Sequence, residues 1–386
     1  MTLNRRTAVI GSAIFAPISD ESRSLEELLY DAAQAALKDA GLKIEEIDGL
    51  VVASNDQFDG RAISVMAASG SVGGVDRDIL STPSASEHAF VMGVLRIASG
   101  LYETHLVVSW SPTEASSLSE AQRLGADPYF HRALPLDELS GHALQASAVI
   151  ADSPQSQALA DRLLARNLAN GTQAYPEAAA GRQAQEGGAM LRWPLRQSDV
   201  AEPVTGIVAM VLASEDFVAE RKIEKPVWVL GMGWATEAGF LGDRDLAAAP
   251  ALEEAVRRAY DEAAISDPRA ELDVVELTSA TPYQELIAYE ALRLSRKANW
   301  ADDVDAGVFD RGGALPVNPS GGVATINPVF CTGLVRIAEA VNQVRGTAGQ
   351  HQVPNVKKAL AHAASGFAMM YQTVLVLGAD HEGARA

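Results

Sequence analysis

Two stretches decide the fold: residues 25–54, LEELLYDAAQAALKDAGLKIEEIDGLVVAS, and residues 252–280, LEEAVRRAYDEAAISDPRAELDVVELTSA. Each stretch has the pattern of an amphipathic helix that opens with Leu-Glu-Glu and is followed by a turn and a strand. An acidic residue introduces each strand, Asp48 in the first stretch and Asp273 in the second. Two copies of such a unit predict a chain built from two similar halves.

The flanking segments repeat in the same order. A strand precedes each helix, RTAVIGSAI at 6–14 and PVWVLGMGWA at 226–235, and AFVMGVLRIASG is echoed by TGLVRIAEAVNQVRG. The strand THLVVSWSP is taken to correspond to YQTVLVLGA. Apolar strands that alternate with helices indicate mostly parallel sheets covered on both faces. We therefore predict an N-terminal half over 1–225, with an inserted lobe over about 112–200, and a C-terminal half over 226–386.

The composition and net charge of the chain argue against several classes of function. The chain has 386 residues, 48% of them hydrophobic and 21% charged, and a net charge of -19. So acidic a protein is a poor partner for nucleic acid, whose phosphates need clustered Lys and Arg. No apolar run has the roughly 20 residues of a membrane span. The single cysteine, Cys331, rules out an intrachain disulfide and makes a cysteine-based metal site unsuitable, so we expect no metal and a cytoplasmic location.

The stretch STPSASEHAF at 81–90 leads into an apolar helix. The N-terminus of a helix offers free N–H groups and a partial positive charge to a developing anion, which makes such a loop a suitable place for a nucleophile. This loop contains serines and a proline but no cysteine.

Three motifs carry a resemblance to a known family. They are VVELTSATPYQELIAYEALRLS at 274–295, DRGGALPVNPSGG at 310–322 and QVRGTAGQHQVPNVKKALAH at 343–362. They resemble the thiolase superfamily, and in particular its sterol-carrier-protein-type branch, and the resemblance extends over nearly the whole chain. It implies the duplicated thiolase fold, a five-layer αβαβα arrangement with two mostly central mixed sheets, and a homodimer. It also implies a coenzyme A thioester as substrate, with no bound cofactor.

The resemblance places the family's reactive positions on unusual residues. Thiolases use a cysteine nucleophile before the first central helix, and that position falls here on Pro83, with Ser84 next to it. The two histidine positions fall on Thr278 and Asn327, and the C-terminal loop HAASGF has no second cysteine. Proline cannot attack a thioester, so ordinary thiolysis is not expected.

Four residues are candidate catalytic groups: Ser84, His88, Thr278 and Asn327. A serine needs an adjacent base more than a cysteine does, whereas the Asn327 amide can donate a hydrogen bond to an enolate or thioester oxygen. Each candidate has a plainer alternative. Ser84 or Ser86 can cap the helix, His88 can pack between helices, and Thr278 and Asn327 can be neutral replacements in a site that has lost its chemistry.

A second group of candidates would bind substrate. Glycine lets a pantetheine arm approach the backbone closely, and the candidates are Gly321, Gly322, Ser365 and Gly366. We interpret Cys331 as a packing residue and His362 as a structural one. The pair of glycines in Gly231-Met232-Gly233 lacks the third glycine of a dinucleotide-binding loop, so it is not taken as a cofactor site.

Two hypotheses about function remain open. In the first, the chain is a thiolase-like acyltransferase or lyase of lipid metabolism that acts on an acyl-CoA or related keto substrate by a non-cysteine mechanism. In the second, it is a non-catalytic subunit, or an acyl-CoA- or lipid-binding protein, that supports a catalytic partner. The resemblance implies a small zinc-ribbon/OB-fold protein or a second thiolase-like chain as that partner. The aldolases of this superfamily resemble the chain in lacking the cysteine, but carry tyrosines where Thr278 and Asn327 stand.

Overall fold

Strands from both halves of the chain pair into one mixed sheet of nine strands. The computed structural model describes residues 5–19, 22–59, 63–83, 85–111, 120, 123–124, 126–183 and 187–381. The described strands are β1 (Thr7–Phe15), β2 (Gly49–Ala53), β3 (Asp78–Thr82), β4 (Thr104–Trp110), β5 (Met190–Arg192), β6 (Leu195–Arg196), β7 (Ile207–Ser214), β8 (Val227–Thr236), β9 (Val274–Leu277), β10 (Lys358–Ser365) and β11 (Tyr371–Gly378). The sheet order is β3-β2-β4-β7-β1-β8-β11-β10-β9, while β5 and β6 form a separate hairpin.

The order of the strands shows the duplication directly. Starting from the centre, β1-β7-β4-β2 on one side matches β8-β11-β10-β9 on the other. In both halves the last two of these strands are parallel and the others antiparallel. The counterpart of β4 is therefore β10, and β11 corresponds to β7, so the sequence-based match between THLVVSWSP and YQTVLVLGA was wrong. A single parallel bridge from Val275 to Val317 stands where the first half has β3.

The two half-sheets meet at β1 and β8. Only two residue pairs, Ala8 with Trp228 and Val9 with Val227, join these strands. The two mixed sheets expected from the sequence are thus linked edge to edge into the nine-stranded sheet.

Two central helices complete a layered arrangement. The described α-helices are α1 (Leu25–Ala40), α2 (Asp56–Asp59), α3 (Ser64–Ser71), α4 (Ser86–Ala98), α5 (Glu138–Asp152), α6 (Ser156–Ala174), α7 (Pro176–Gln183), α8 (Glu215–Arg221), α9 (Pro250–Ala263), α10 (Pro268–Glu271), α11 (Pro282–Ala291), α12 (Trp300–Asp305), α13 (Gly322–Thr325) and α14 (Thr332–Arg345). The helices α4 and α14 pack against each other between the two half-sheets, and α1 and α9 cover the outer faces. The predicted five-layer αβαβα order is confirmed.

Local sequence explains where the repeated helix begins and ends. Ser24 and Glu27 form a reciprocal capping box at the start of α1, in which each side chain accepts a hydrogen bond from the other residue's backbone N–H. The left-handed Gly41, with φ of 69°, ends the helix. The apolar stripe between these signals faces the sheet, because Leu29, Ala32 and Ala36 are all fully buried.

Glycines on the first strand of each half let the covering helix lie directly on the sheet. A Cβ atom at Gly11 would lie 2.4 Å from the carbonyl oxygen of Ala36 in α1, and one at Gly231 would lie 2.1 Å from that of Ala259 in α9. At Gly233 the distance to the Ala255 oxygen would be 2.0 Å. The Gly-Met-Gly sequence is thus explained by helix packing.

The helices α5 and α6 lie within the region 112–200. The division of the chain at residues 225 and 226 stays a prediction. Among the described residues, no helix combines the length and the apolar character needed to cross a bilayer.

Candidate active site

The candidate site lies where α4 and α14, one helix from each half, begin side by side. The backbone N–H of Leu334 in α14 donates to the Ser86 hydroxyl in α4 over 2.9 Å. Ser86 therefore caps the helix of the other half, whereas Ala85, the N-cap residue of α4, provides no side-chain cap. This corrects the expectation that Ser86 caps its own helix. Two positively polarised helix ends converge here, an arrangement suited to stabilising an anion.

A buried carboxylate occupies the first turn of α4. Glu87 is 1% exposed, and its Oε1 accepts a hydrogen bond of 2.6 Å from the hydroxyl of Ser365. Its Oε2 has no hydrogen-bond partner within the part of the chain that the structure describes. A Cβ atom at Gly333, in the first turn of α14, would lie 2.4 Å from this Oε2, so a glycine is required there. The sequence offered only a weak signal for Glu87, an acidic residue at the start of an otherwise apolar helix.

His88 and Gly366 both lie next to the ring of Tyr371. The rings of His88 and Tyr371 lie edge to face, with centroids 5.5 Å apart. Gly366 has a left-handed φ of 71°, and a Cβ atom there would lie 2.7 Å from Cδ2 of Tyr371. The structure thus brings three of the predicted site residues, His88, Ser365 and Gly366, to the first turn of α4. Their roles in the chemistry stay predictions.

Two hydrogen bonds hold the side chain of Asn327 in place. Its side-chain amide donates to the carbonyl oxygen of Ala201 over 3.1 Å, and its Oδ1 accepts from the Thr332 hydroxyl at 3.4 Å. The amide N–H that was expected to face substrate therefore binds the segment that precedes β7. Asn327 is connected through Thr332 to the first turn of α14.

Cys331 is unsuited to act as a nucleophile. The side chain is fully buried, and its Sγ donates to the carbonyl oxygen of Gly206 at 3.5 Å. Burial raises the pKa of the Cys331 thiol well above its usual range, so the reactive thiolate is suppressed. The interpretation of Cys331 as a packing residue agrees with this environment.

Thr278 lies just past the end of β9. Its backbone N–H donates to the carbonyl oxygen of His362 over 2.9 Å, while its buried hydroxyl has no partner among the described residues. His362 itself is fully buried in β10 and contacts Oε1 of Gln372 through Nε2 at 2.8 Å. Burial lowers the pKa of His362 to about 4, so this imidazole is neutral at ordinary pH.

Gly321 packs closely against α6, and Gly322 packs against Asn318. A Cβ atom at Gly321 would lie 2.6 Å from Cα of Gly171 in α6, and one at Gly322 would lie 2.9 Å from Nδ2 of Asn318. These glycines therefore let two parts of the same chain pack closely against each other. A role for them in binding substrate stays a prediction. Ser84 lies outside the described residues.

A loop at 366–370 connects β10 and β11 beside the site, and the side chains of Arg244 and Gln145 fasten it. Arg244 donates to the carbonyl oxygens of Phe367 at 3.1 Å and Ala368 at 2.6 Å, and Gln145 of α5 donates to the same Ala368 oxygen at 3.3 Å. Ala368 and Met369 both adopt left-handed backbone conformations, with φ of 50° and 58°. This conformation is unfavourable for residues with a side chain, so the loop carries strain.

A buried ion cluster fixes α14 to the neighbouring strand. Nη1 of Arg336 lies 2.9 Å from Oε2 of Glu276 in β9, and both side chains have no exposed surface. The Ser320 hydroxyl donates to the same carboxylate at 2.7 Å. Burial raises the pKa of Glu276, although the charge of Arg336 opposes this. No local sequence pattern marks this cluster, because Arg336 and Glu276 lie 60 residues apart.

Glu339, also in α14, extends the cluster to Tyr175 and His351. Its carboxylate binds the hydroxyl of Tyr175, and His351 lies 2.9 Å away on its other oxygen. Burial opposes a charge on His351, but the hydrogen bond and charge of Glu339 outweigh it and raise the pKa of His351. Among the residues that the structure describes, no group of three or more His, Cys, Asp or Glu side chains is arranged to hold a metal ion.

Comparisons with known sequences point to one family. Residues 235–379 match the family model described as thiolase C-terminal domain-like. Sterol carrier protein 2 of Oryctolagus cuniculus is 34% identical over 163 residues, which make up 41% of this chain and 29% of that protein. An acetyl-CoA acetyltransferase of Methanothermobacter thermautotrophicus is 31% identical over 179 residues, 46% of each chain. The chain thus spans less than a third of the sterol carrier protein that it matches.

A solved structure shares the fold over the whole chain. It is an Ltp2-ChsH2(DUF35) aldolase, with a TM-score of 0.78 and 19% sequence identity, and the match covers 99% of this chain and 100% of that one. At this identity the likeness shows the fold alone.

Proposed function

The chain belongs to the thiolase superfamily, in its sterol-carrier-protein-type branch, and on this premise we propose that it is an enzyme that makes or breaks a carbon–carbon bond without a cysteine nucleophile. The substrate is an acyl-CoA or a related keto compound. The observation that carries the proposal is the meeting of two helix N-termini, those of α4 and α14, around polar groups and without an accessible thiol.

The geometry suggests how such a site works. Cleaving or forming a bond at the α-carbon of a thioester places negative charge on the thioester oxygen. Free N–H groups at the converging helix ends are suited to hold that charge. Since Pro83 occupies the nucleophile position and Cys331 is buried, no acyl-cysteine intermediate is part of the proposal.

The test is turnover by the purified chain. We expect release of a shorter acyl-CoA from a β-hydroxyacyl-CoA or a β-ketoacyl-CoA, and slower turnover in Ser84→Ala and Asn327→Ala. Unchanged rates in both variants would remove these residues from the mechanism. Binding of acyl-CoA without turnover, alone and with partners, would contradict the proposed enzyme.

The second candidate function is a non-catalytic subunit that supports a catalytic partner. One observation favours it: the amide of Asn327 is engaged by Ala201 and Thr332 and is thus withdrawn from substrate. Turnover that appears only in a complex, and that depends on a cysteine in the other chain, would establish this function.

We further propose partners and a location. The strand β3 ends the sheet with one unpaired edge, which suits pairing with a second copy in a homodimer. Ltp2 is a thiolase-like chain in complex with a DUF35 protein, and a similar zinc-ribbon/OB-fold partner is proposed here. The location is proposed to be cytoplasmic. Light scattering of the purified chain tests the dimer, and a monomeric mass would contradict it.

A further inference from the structure

Three hydrogen bonds in series link the segment after β9 to the loop after β10. The backbone N–H of Ala280 donates to Oε1 of Gln284 over 2.8 Å, and Nε2 of Gln284 donates to Oε1 of Gln145 over 2.8 Å. Nε2 of Gln145 then donates to the carbonyl oxygen of Ala368 over 3.3 Å. Both glutamine side chains are buried, with exposures of 2% and 1%. We call this series of bonds the amide relay.

The backbone groups at its two ends fix the direction of the amide relay. A backbone N–H can only donate a hydrogen bond, and a carbonyl oxygen can only accept one. Oε1 of Gln284 must therefore face Ala280. In the same way, Nε2 of Gln145 must face Ala368, so all three bonds point the same way. Hydrogen bonds aligned in one direction strengthen one another in a buried environment, so the loss of one bond weakens the others.

The helix α5 carries the middle of the amide relay and packs against both of its ends. The second hydrogen of the Gln284 amide goes to Nδ1 of His142, which also lies in α5, at 3.0 Å. Gly141 lies one turn before Gln145 and faces the same loop, since a Cβ atom there would lie 3.1 Å from Cε2 of Phe367. The start of α11 and the loop after β10 are thus held by one helix.

The two linked segments lie on two sides of the proposed site. The strands β9 and β10 are parallel neighbours, so both segments leave the same edge of the sheet. Thr278 comes directly after β9, and Ser365, which binds Glu87, is the last residue of β10. The ladder between these strands ends with the bond from the Thr278 N–H to the carbonyl oxygen of His362. Beyond that point, the amide relay joins the two segments.

The loop after β10 needs such a restraint. Ala368 and Met369 have left-handed backbone conformations, which cost free energy and persist only when the surroundings impose them. Arg244, Gln145 and Gln372 each donate a side-chain hydrogen bond to a carbonyl oxygen of this loop. Of these three, Gln145 is the one that also takes part in the amide relay.

We propose that Gln145 is a positioning residue, through which the segment 279–281 and the loop 366–370 move as one unit. A substrate that displaces one segment then displaces the other, so the sides of the site that carry Thr278 and Ser365 open and close together. The joint motion is a property of the fold, whereas its effect on turnover rests on the proposed function.

Hydrogen exchange of the backbone amides, followed by mass spectrometry, tests the joint motion in Gln145→Met and Gln284→Met. Methionine is about as long as glutamine but makes no strong hydrogen bond. Among the described contacts, Gln284 binds the segment 279–281 and α5 but not the loop 366–370. We expect exchange in both segments to become about 2- to 10-fold faster in each variant, as the loss of a hydrogen bond implies.

The matched control is Gln343→Met in α14. Gln343 is also 1% exposed and joins two backbone groups, the N–H of Val353 at 2.8 Å and the carbonyl oxygen of His351 at 3.0 Å. We expect this variant to have a lower melting temperature, with exchange in both segments at the wild-type rate.

Two results of the exchange experiment would overturn the proposal. One is a Gln284→Met variant in which the segment 279–281 exchanges faster while the loop 366–370 keeps the wild-type rate. The other is equal acceleration of the loop in Gln343→Met, because general destabilisation would then explain the effect. If Gln145→Met does not fold, Gln284→Met and its control still decide between these outcomes.

Turnover is the second readout, in whichever assembly the wild type is active. We expect kcat for acyl-CoA cleavage to fall about 10-fold in Gln145→Met and in Gln284→Met, with KM within about twofold, because misplaced groups slow the reaction more than they weaken binding. The double variant should lose no more than Gln145→Met, and losses that multiply would contradict a shared relay. A wild type without turnover would refute the proposed function, while the exchange rates would still decide the joint motion.

Discussion

Removal of Arg336 should destabilise the protein in a way that depends on pH. Arg336 and Glu276 are both fully buried, and Nη1 and Oε2 lie 2.9 Å apart. Arg336→Leu leaves the carboxylate of Glu276 in an apolar interior without its positive partner. The expected loss from breaking a buried pair in this way is about 3–5 kcal/mol.

Protonation of Glu276 sets an upper limit on this loss. Without Arg336, the carboxyl can take up a proton instead of keeping its charge. At about pH 7, protonating a group whose unfolded pKa is about 4.3 costs about 4 kcal/mol, and at about pH 5 only about 1 kcal/mol. Because the pKa of Glu276 is higher in the folded variant than in the unfolded chain, the unfolded chain loses this proton first as the pH rises. The free energy of unfolding of the variant therefore falls above the unfolded pKa. The variant should therefore be much less destabilised at pH 5 than at pH 7.

The assay is urea unfolding followed by tryptophan fluorescence, since Trp110 and Trp300 are buried. The double variant Arg336→Leu with Glu276→Gln should recover most of the loss at pH 7, because no charge is left unpaired. Arg257→Leu, which breaks an exposed pair with Glu254, is the matched control and should leave the unfolding midpoint unchanged. Equal losses at pH 5 and pH 7, or no recovery in the double variant, would refute the reasoning.

Three further predictions concern stability and reactivity. Gly233→Ala should cost about 2–3 kcal/mol, because its Cβ would lie 2.0 Å from a helix carbonyl oxygen, whereas Gly239→Ala, with open space around it, should be neutral in the same urea titration. Burial lowers the pKa of both His105 and His362 to about 4, so the unfolded chain binds protons first as the pH falls. Stability should then drop by about 3 kcal/mol for each histidine between about pH 6.5 and pH 4, and a flat profile in that range would contradict it. The Cys331 thiol should react with a thiol-specific dye only after unfolding, and rapid labelling of the native protein would contradict its burial.

The sequence pattern predicted the duplication correctly, but it matched β4 to the wrong strand of the second half. Periodic apolar residues and the repeated Leu-Glu-Glu gave the helices α1 and α9 and the strands that follow them. The strand β10 reads KALAHAAS, and its small residues lack the β-branched pattern that marks β4, THLVVSW. The more strongly patterned β11 was therefore matched to β4, although the sheet order places β10 there.

The candidate site was predicted in part, for a similar reason. The helix starts and the loop at 365–366 follow from local patterns, so His88, Ser365 and Gly366 could be named from the sequence. Pairing across the two halves has no local signal, which is why the contacts of Glu87 with Ser365 and Gly333 were not foreseen. For Gly321, in contrast, the sequence predicted a feature that the structure does not have. Its motif suggested room for a ligand, but the helix α6 fills that room.

The hydroxyl of Ser86 makes a helix of the second half of the chain depend on a residue of the first half. It completes the opening turn of α14 in the other half, whereas α4, which begins at Ser86, has no side-chain cap from its N-cap residue Ala85. A fragment containing either copy of the repeat by itself would have one of the two central helices, and the fragment carrying α14 would also lose its cap. The two copies of the repeat are thus not interchangeable, because the first supplies a cap to the central helix of the second.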